Sequence, residues 1–259
     1  MLTAHDYLSA TLAERVAGVD IVLVGDSLAM VACGYASTAE LGIDEMLYHC
    51  RSVARGSKTA LRVGDLTFGT YERSAEQAID TSVRMIREGG MEAIKLEGGL
   101  EHADTIARLT SIGIPVMGHV GLTPQRQAAL SGYRVQGKTA ESAVGILRDA
   151  LAVQRAGAFS IVLEAMPAQL GQLVTSKLRI PTIGIGAGSD CDGQVLVQLD
   201  LLGAYERSPP RFVKRSTRAI EQYAAEVSAR QFPTPAFSYP IGEAEWAEVV
   251  EAVERVAGD

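Results

Sequence analysis

The chain of 259 residues is long enough for one large domain with an ample core, and its apolar fraction of 47% is ordinary for a globular protein. A net charge of −7 without any basic cluster excludes a phosphate-coating nucleic-acid binder. The longest apolar runs, such as Ile21 to Val24, are far too short to span a bilayer, so no membrane partner is expected.

In chain order, Leu2 to Asp6 reads as the remnant of a first strand, and Asp20 to Asp26 as a strong second one. A helix is expected near Asp44 to Arg55, then a strand over Ala60 to Asp65. Ser74 to Gln77 has a capping-box pattern and opens a helix that Gly89 and Gly90 close. Glu92 to Glu97 is the next strand, followed by a helix over Glu101 to Ser111 that stops at Gly113. Ile114 to His119 reads as a strand, Thr139 to Ala156 as a helix ending at Gly157, and Ser160 to Glu164 and Pro181 to Gly186 as strands. Val195 to Val197 is a weaker strand candidate. A helix is expected over Arg211 to Ala229, an extended aromatic segment over Phe232 to Pro240, and a final amphipathic helix over Glu243 to Ala257.

This alternation predicts parallel strands with crossover helices, hence an α/β fold of the (β/α)8 TIM-barrel type in a single domain. Residues 1–240 would form the barrel, and residues 241–259 a C-terminal helical extension. A doubly wound sheet is the alternative, but no G-x-G-x-x-G stretch opens a helix after the first long strand. The start, Met1 to Tyr7, lacks the features of a signal peptide. Cys33, Cys50 and Cys191 match neither a zinc nor a disulfide framework, so a reducing cytoplasmic setting is expected.

Five successive strands finish on charged or ionisable residues, usually beside a small one: Gly25-Asp26-Ser27, Gly64-Asp65, Lys95-Leu96-Glu97, Gly118-His119 and Leu163-Glu164. In a barrel these ends meet at one mouth. Lys95 and Glu97 are two residues apart on a strand and point to the same face, into the barrel. Asp26, Asp65 and Glu97 together would repel unless some stay protonated or a cation compensates them, and oxygen-only donors suit Mg²⁺. Each residue taken singly has a plainer role: Asp26 as a helix cap, Lys95 and Glu97 as a structural ion pair, His119 as a packed histidine, Glu164 as a turn cap. Their recurrence at one edge favours a site. Gly184 to Gly188 is a glycine-rich strand end that serves either phosphate binding or close chain packing. His5, His49 and His102 show no partner spacing and read as solvated or structural.

At these residues the sequence resembles the ketopantoate hydroxymethyltransferase family. The resemblance is carried by Thr3 to Tyr7, Val24 to Leu28, Tyr48, His49, Arg55, Gly56 and Asp65 to Phe68. It continues through Lys95 to Gly99, Gly118 to Gln125, Gly132 to Gly137, Leu163 to Pro167, Ile180 to Gly188 and Asp192 to Gln194. It implies a (β/α)8 barrel, Mg²⁺, and transfer of a hydroxymethyl group from the co-substrate 5,10-methylenetetrahydrofolate to a 2-oxo acid, 3-methyl-2-oxobutanoate. Asp26, Asp65 and Glu97 fall on its metal-ligand positions. Asp26, Ser27, Asp65 and Lys95 fall on its substrate contacts, and Glu164 on its proton acceptor. His119 is expected to bind substrate or assist proton movement. The resemblance also implies a large homo-oligomer, typically a decamer. Thr67 stands where the family usually has proline, Leu199 where it has histidine, and a leading segment usually precedes the motif at Thr3, so a clipped first strand is expected. A carbon–carbon lyase or mutase of the phosphoenolpyruvate mutase type, or a non-catalytic barrel, are the alternative readings.

Overall fold

The computed structural model of the chain describes residues 1–126, 132, 134–204, 210–213 and 219–257. Its elements run β1 (Leu2–Thr3), α1 (Tyr7–Glu14), β2 (Ile21–Val24), α2 (Leu28–Val31), α3 (Ile43–Gly56), β3 (Leu61–Asp65), α4 (Ala75–Arg87), β4 (Ala93–Lys95) and α5 (Ala103–Ser111). They continue with β5 (Val116–Gly121), α6 (Ala140–Arg155), β6 (Ser160–Glu164), α7 (Ala168–Lys177), β7 (Thr182–Ile185), β8 (Gly193–Gln194), α8 (Gln198–Leu202), α9 (Ala219–Ser228) and α10 (Glu243–Ala257). All eight strands are parallel and lie in sequence order, which is not the order of a doubly wound sheet. The sheet curls: Leu196, just past β8, pairs in parallel with Leu2, and the Thr3 N–H donates to the Leu196 carbonyl at 3.1 Å. The architecture is TIM-barrel-like. No helix among the described residues is long and apolar enough to cross a membrane.

The glycine beside two of the charged strand ends has a physical reason. A Cβ on Gly118 would lie 2.4 Å from Val153 Cγ1 of α6, and one on Gly64 would lie 2.4 Å from Met85 Cε of α4. These glycines therefore face outward, where a helix packs against bare backbone. Alternation along the strand then turns Asp65 and His119 inward. The glycine-rich stretch after β7 also serves packing. A Cβ on Gly186 would strike Phe212 at 2.6 Å, and one on Gly188 would meet Ala168 Cβ at 2.7 Å.

Several expectations are corrected. Val195 to Val197 is not the last strand; β8 is Gly193–Gln194, paired with Ile183 and Gly184. Of the helix expected from Arg211, the described part begins at Ala219. Before it the Val213 N–H donates to the Pro210 carbonyl in a turn, and residues 214–218 lie outside the described residues. Tyr133, within the Gly132 to Gly137 motif, also lies outside them, as do residues 258–259. The capping box at Ser74 is one-sided. Ser74 Oγ accepts from the Gln77 N–H, but the Gln77 side chain turns to the Arg73 N–H and the Gly69 carbonyl. The sequence reading missed α1, α2, α7 and α8. Of these, α7 starts after Pro167 and carries Gly171 in its interior, which weakens any local helix signal.

The final helix α10 packs on α6. Val249 and Val253 are fully buried, and Glu245 Oε1 accepts the Ala140 N–H at 2.9 Å, satisfying a donor left free at the start of α6.

Two glycine-to-alanine changes in helix interiors should have opposite signs. Alanine is the better helix former by about 1 kcal/mol, and a Cβ on Gly145 in α6 meets nothing within 4 Å. Gly145→Ala should therefore raise the unfolding temperature. At Gly171 a Cβ would fall 2.1 Å from the Ala187 carbonyl oxygen, a backbone atom that cannot step aside. Gly171→Ala should lose about 1–3 kcal/mol despite its better propensity. Thermal unfolding checks both; an equal rise in the two variants would refute the close approach.

Candidate active site

The strand ends converge on one small cavity of about 90 Å³, lined by Asp26, Ser27, Asp65, Lys95, Glu97, His119 and Glu164. All seven residues singled out from the sequence are thus brought together. Asp65 and Lys95 are register partners on β3 and β4, and Gly121 and Glu164 on β5 and β6. Asp26 and Glu97 lie two residues beyond the ends of β2 and β4. Asp26, Asp65, Lys95, Glu97 and His119 are all buried, while the Glu164 side chain keeps 14% of its exposure.

The pairing differs from the simplest reading of Lys95 and Glu97. Lys95 Nζ lies 2.7 Å from Asp65 Oδ1, on the neighbouring strand, while Glu97 Oε2 accepts the Gln125 N–H at 3.0 Å. The structural ion pair considered for Lys95 and Glu97 is therefore not formed; register selects Asp65 instead. Asp26 is not a helix cap. Its Oδ2 accepts from Gln125 Nε2 at 2.9 Å, its N–H donates to Asp65 Oδ2 at 3.0 Å, and Ser27 occupies the cap position of α2 without a side-chain bond. Nor is Glu164 a turn cap, since its Oε2 lies 2.9 Å from His119 Nε2. Lys95 Nζ is 3.3 Å from His119 Nδ1. An ammonium has no lone pair, so this contact assigns Nδ1 as the acceptor and puts the ring proton on Nε2, which lies close to Glu164 Oε2 but off line for a hydrogen bond.

Four carboxyl groups and one ammonium share this cavity. Burial, then the nearby Asp65 carboxylate, pushes Asp26 up to about 7, against Lys95 and Gln125, which favour its charge. Burial, followed by Asp26, holds Glu97 well above the ordinary carboxylate range. Burial pushes Glu164 up to about 7, partly offset by Lys95. Burial opposes the charge on Lys95, but Asp65, Glu97 and Asp26 outweigh it and hold the ammonium above its usual range. Burial and Lys95 push His119 well below its ordinary value, so the ring is neutral.

Among the described residues no three His, Cys, Asp or Glu side chains form a ready-made metal cage. The donors that are present nevertheless suit a hard cation that keeps water and substrate oxygens in its shell. They are carboxylate oxygens. Asp65 Oδ1 is buried without a hydrogen bond, since the Lys95 ammonium stands at ion-pair distance but off line.

The small cavity shares Ser27, Thr38, Pro124, Glu164, Ile185 and Val197 with a larger outer one of about 350 Å³, to which Phe212, Tyr239, Arg134 and Asp200 contribute. Another groove, about 710 Å³, lies away from the carboxyl cluster and is lined by His5, Tyr48 and His49 among others. There His49 is structural: its Nδ1 meets the His5 carbonyl at 2.5 Å and its Nε2 lies 3.6 Å from Cys33 Sγ. The sequence reading missed Gln125 and Tyr71 as site residues. Gln125 ends a stretch that carries the family resemblance, and that was the only local signal.

The family model described as ketopantoate hydroxymethyltransferase matches residues 1–235. A 3-methyl-2-oxobutanoate hydroxymethyltransferase of Emericella nidulans is 52% identical over 265 aligned residues, which cover 99% of this chain and 76% of that protein. One of Oleidesulfovibrio alaskensis is 48% identical, covering 98% of this chain and 91% of that protein. A phosphonopyruvate hydrolase structure in complex with oxalate and Mg²⁺ shares the fold, with a TM-score of 0.58 and 16% identity over 88% of this chain and 90% of that one. With a strand-end cluster at the mouth of a TIM-barrel-like sheet and relatives about half identical along nearly its whole length, the chain belongs to the ketopantoate hydroxymethyltransferase family of enzymes.

Proposed function

We propose that the enzyme transfers a hydroxymethyl group from 5,10-methylenetetrahydrofolate to 3-methyl-2-oxobutanoate, giving 2-dehydropantoate for pantothenate biosynthesis. Asp26, Asp65 and Glu97 would hold Mg²⁺, and Glu164 would accept the substrate proton. The observation that carries this reading is the imbalance of the cavity: four carboxyl groups against one ammonium, with Glu164 the acid nearest to the opening. The related fold that holds Mg²⁺ with oxalate, a small dicarboxylate, supports a cation here.

A divalent cation supplies electron withdrawal from the carboxylate and keto oxygens of a 2-oxo acid, which acidifies its C3 proton. Lys95 keeps N–H donors beyond its contact with Asp65 and orients the substrate carboxylate. Glu164, a base of pKa about 7, takes the C3 proton. Neutral His119 stands beside that carboxylate, its Nε2 2.9 Å from Glu164 Oε2. C3 then forms a bond to the one-carbon unit, both of that carbon's bonds to folate nitrogen break so that tetrahydrofolate leaves, and water supplies the oxygen of the new hydroxymethyl group. The inner cavity suits the small acid, and the outer one, with Phe212 and Tyr239, suits a flat donor. In this reading the sheet is a closed (β/α)8 barrel, residues 1–240 form the catalytic domain, and residues 241–259 extend it. The enzyme is cytoplasmic and assembles as a homo-oligomer. Tyr7, Leu8 and Leu12 on α1 and Tyr48 on α3, all exposed, support assembly; light scattering that finds only monomers would remove it.

Glu164→Gln should keep substrate binding and lose C3 proton exchange by roughly 10²–10⁴-fold. In the unaltered enzyme, exchange should climb as pH rises through about 7, where Glu164 gives up its proton, and level off above. Exchange by the Gln variant at the normal rate, followed by deuterium wash-in, would remove Glu164 as base.

Asp26→Asn should weaken Mg²⁺ binding roughly tenfold or more while the fold holds, because Asn can still accept from Gln125. Asp65→Asn should also unfold more readily, since Lys95 would be left buried and unpaired at about 3–5 kcal/mol. Calorimetric titration with Mg²⁺ and thermal unfolding separate the two. Full Mg²⁺ affinity in Asp26→Asn would exclude it as a ligand.

A further inference from the structure

Gln125 sits in the turn after β5, 6% exposed, and every polar atom of its side chain is engaged. Its backbone N–H donates to Glu97 Oε2 at 3.0 Å. Its Nε2 donates to Asp26 Oδ2 at 2.9 Å and to the Leu66 carbonyl at 2.9 Å. Its Oε1 accepts from the Tyr71 hydroxyl at 2.8 Å, and that hydroxyl lies 3.3 Å from the Glu97 carbonyl. Tyr71 is 2% exposed. Two acceptors on one side of the amide and a hydroxyl donor on the other allow a single orientation of it.

One neutral residue therefore grips one oxygen of each of two carboxylates carried beyond different strands, β2 and β4. The other oxygens, Asp26 Oδ1 and Glu97 Oε1, lie outside the grip, with Glu97 Oε1 3.6 Å from His119 Nδ1. We infer that Gln125, oriented by the Tyr71 hydroxyl, is a positioning residue for the divalent cation: it holds Asp26 and Glu97 in the rotamers that present their remaining oxygens to it. This rests on the reading of Asp26 and Glu97 as ligands. The amide suits the task chemically. A glutamate would add another carboxyl group to an already acidic cluster, and a lysine or arginine would neutralise the carboxylates and compete with the cation. The rival role is a strut that only ties the β5 turn to the barrel; a strut would affect stability and leave cation affinity alone.

The test is calorimetric titration of the substrate-free protein with Mg²⁺, with thermal unfolding measured alongside. Gln125→Met keeps the volume and removes the side-chain bonds. Its Mg²⁺ affinity should fall roughly 10–100-fold, as for other residues that orient metal ligands, and raising Mg²⁺ should restore its turnover. Tyr71→Phe should show a smaller fall. The double variant should bind no more weakly than Gln125→Met alone, because Tyr71 acts through Gln125. Wild-type affinity in Gln125→Met, or independent additive losses, would overturn the inference while leaving the cation site in place. Absence of Mg²⁺ binding by the unaltered protein would overturn the cation site itself and the inference with it. If Gln125→Met fails to fold, Tyr71→Phe decides: an unchanged affinity there overturns the role.

Discussion

Asp26, Asp65, Glu97 and Glu164 line one buried cavity in which Lys95 is the cationic side chain, and the rest of the site follows from that excess. Removing a carboxylate from water costs several kcal/mol unless it is paired. Lys95 compensates Asp65 at 2.7 Å, Gln125 donates to both Asp26 and Glu97, and the remaining charge is relieved by raised affinity for protons. An arrangement of this kind is poor as a stabilising core and good as a receptor for something positive. It also brings Glu164 up to about 7.

The barrel-like sheet makes that concentration of charge possible. Gly64 and Gly118 turn their missing side chains outward, so α4 and α6 approach the strands closely while Asp65 and His119 point in. Parallel register then sets Asp65 beside Lys95 and Gly121 beside Glu164. Packing glycines of the stretch after β7 seat Phe212 and α7 against the same end of the sheet, which places an aromatic wall on the outer cavity. The outer and inner cavities therefore differ in character for a structural reason: strand ends supply the charge, and the loops above supply apolar surface.

Much of this was legible in the sequence. Alternation along a strand is local, with a period of two residues, so Lys95 and Glu97 could be assigned to one face from their spacing alone. The recurrence of ionisable residues at five strand ends located the cavity that they line. The expected strand over Ser160 to Glu164 matches β6, and the expected helix over Glu243 to Ala257 matches α10. Four helices, α1, α2, α7 and α8, were not legible. In α7 a proline start and an interior glycine suppress the local signal, and the helix is supported by its contact with Ala187.

The sequence by itself determined that residues such as Asp65 and Lys95 face the interior and that the charges at the strand ends do not balance, because side-chain direction within a strand depends on position along it. Only the tertiary structure decided who meets whom. Lys95 pairs with Asp65, 30 residues away, rather than with Glu97, its near neighbour. Gln125, whose position carries no periodic signal, bridges Asp26 across 99 residues of chain. Such partnerships depend on inter-strand register and on how far each loop reaches over the sheet, and both are set by packing across the whole sheet rather than by any local run of residues.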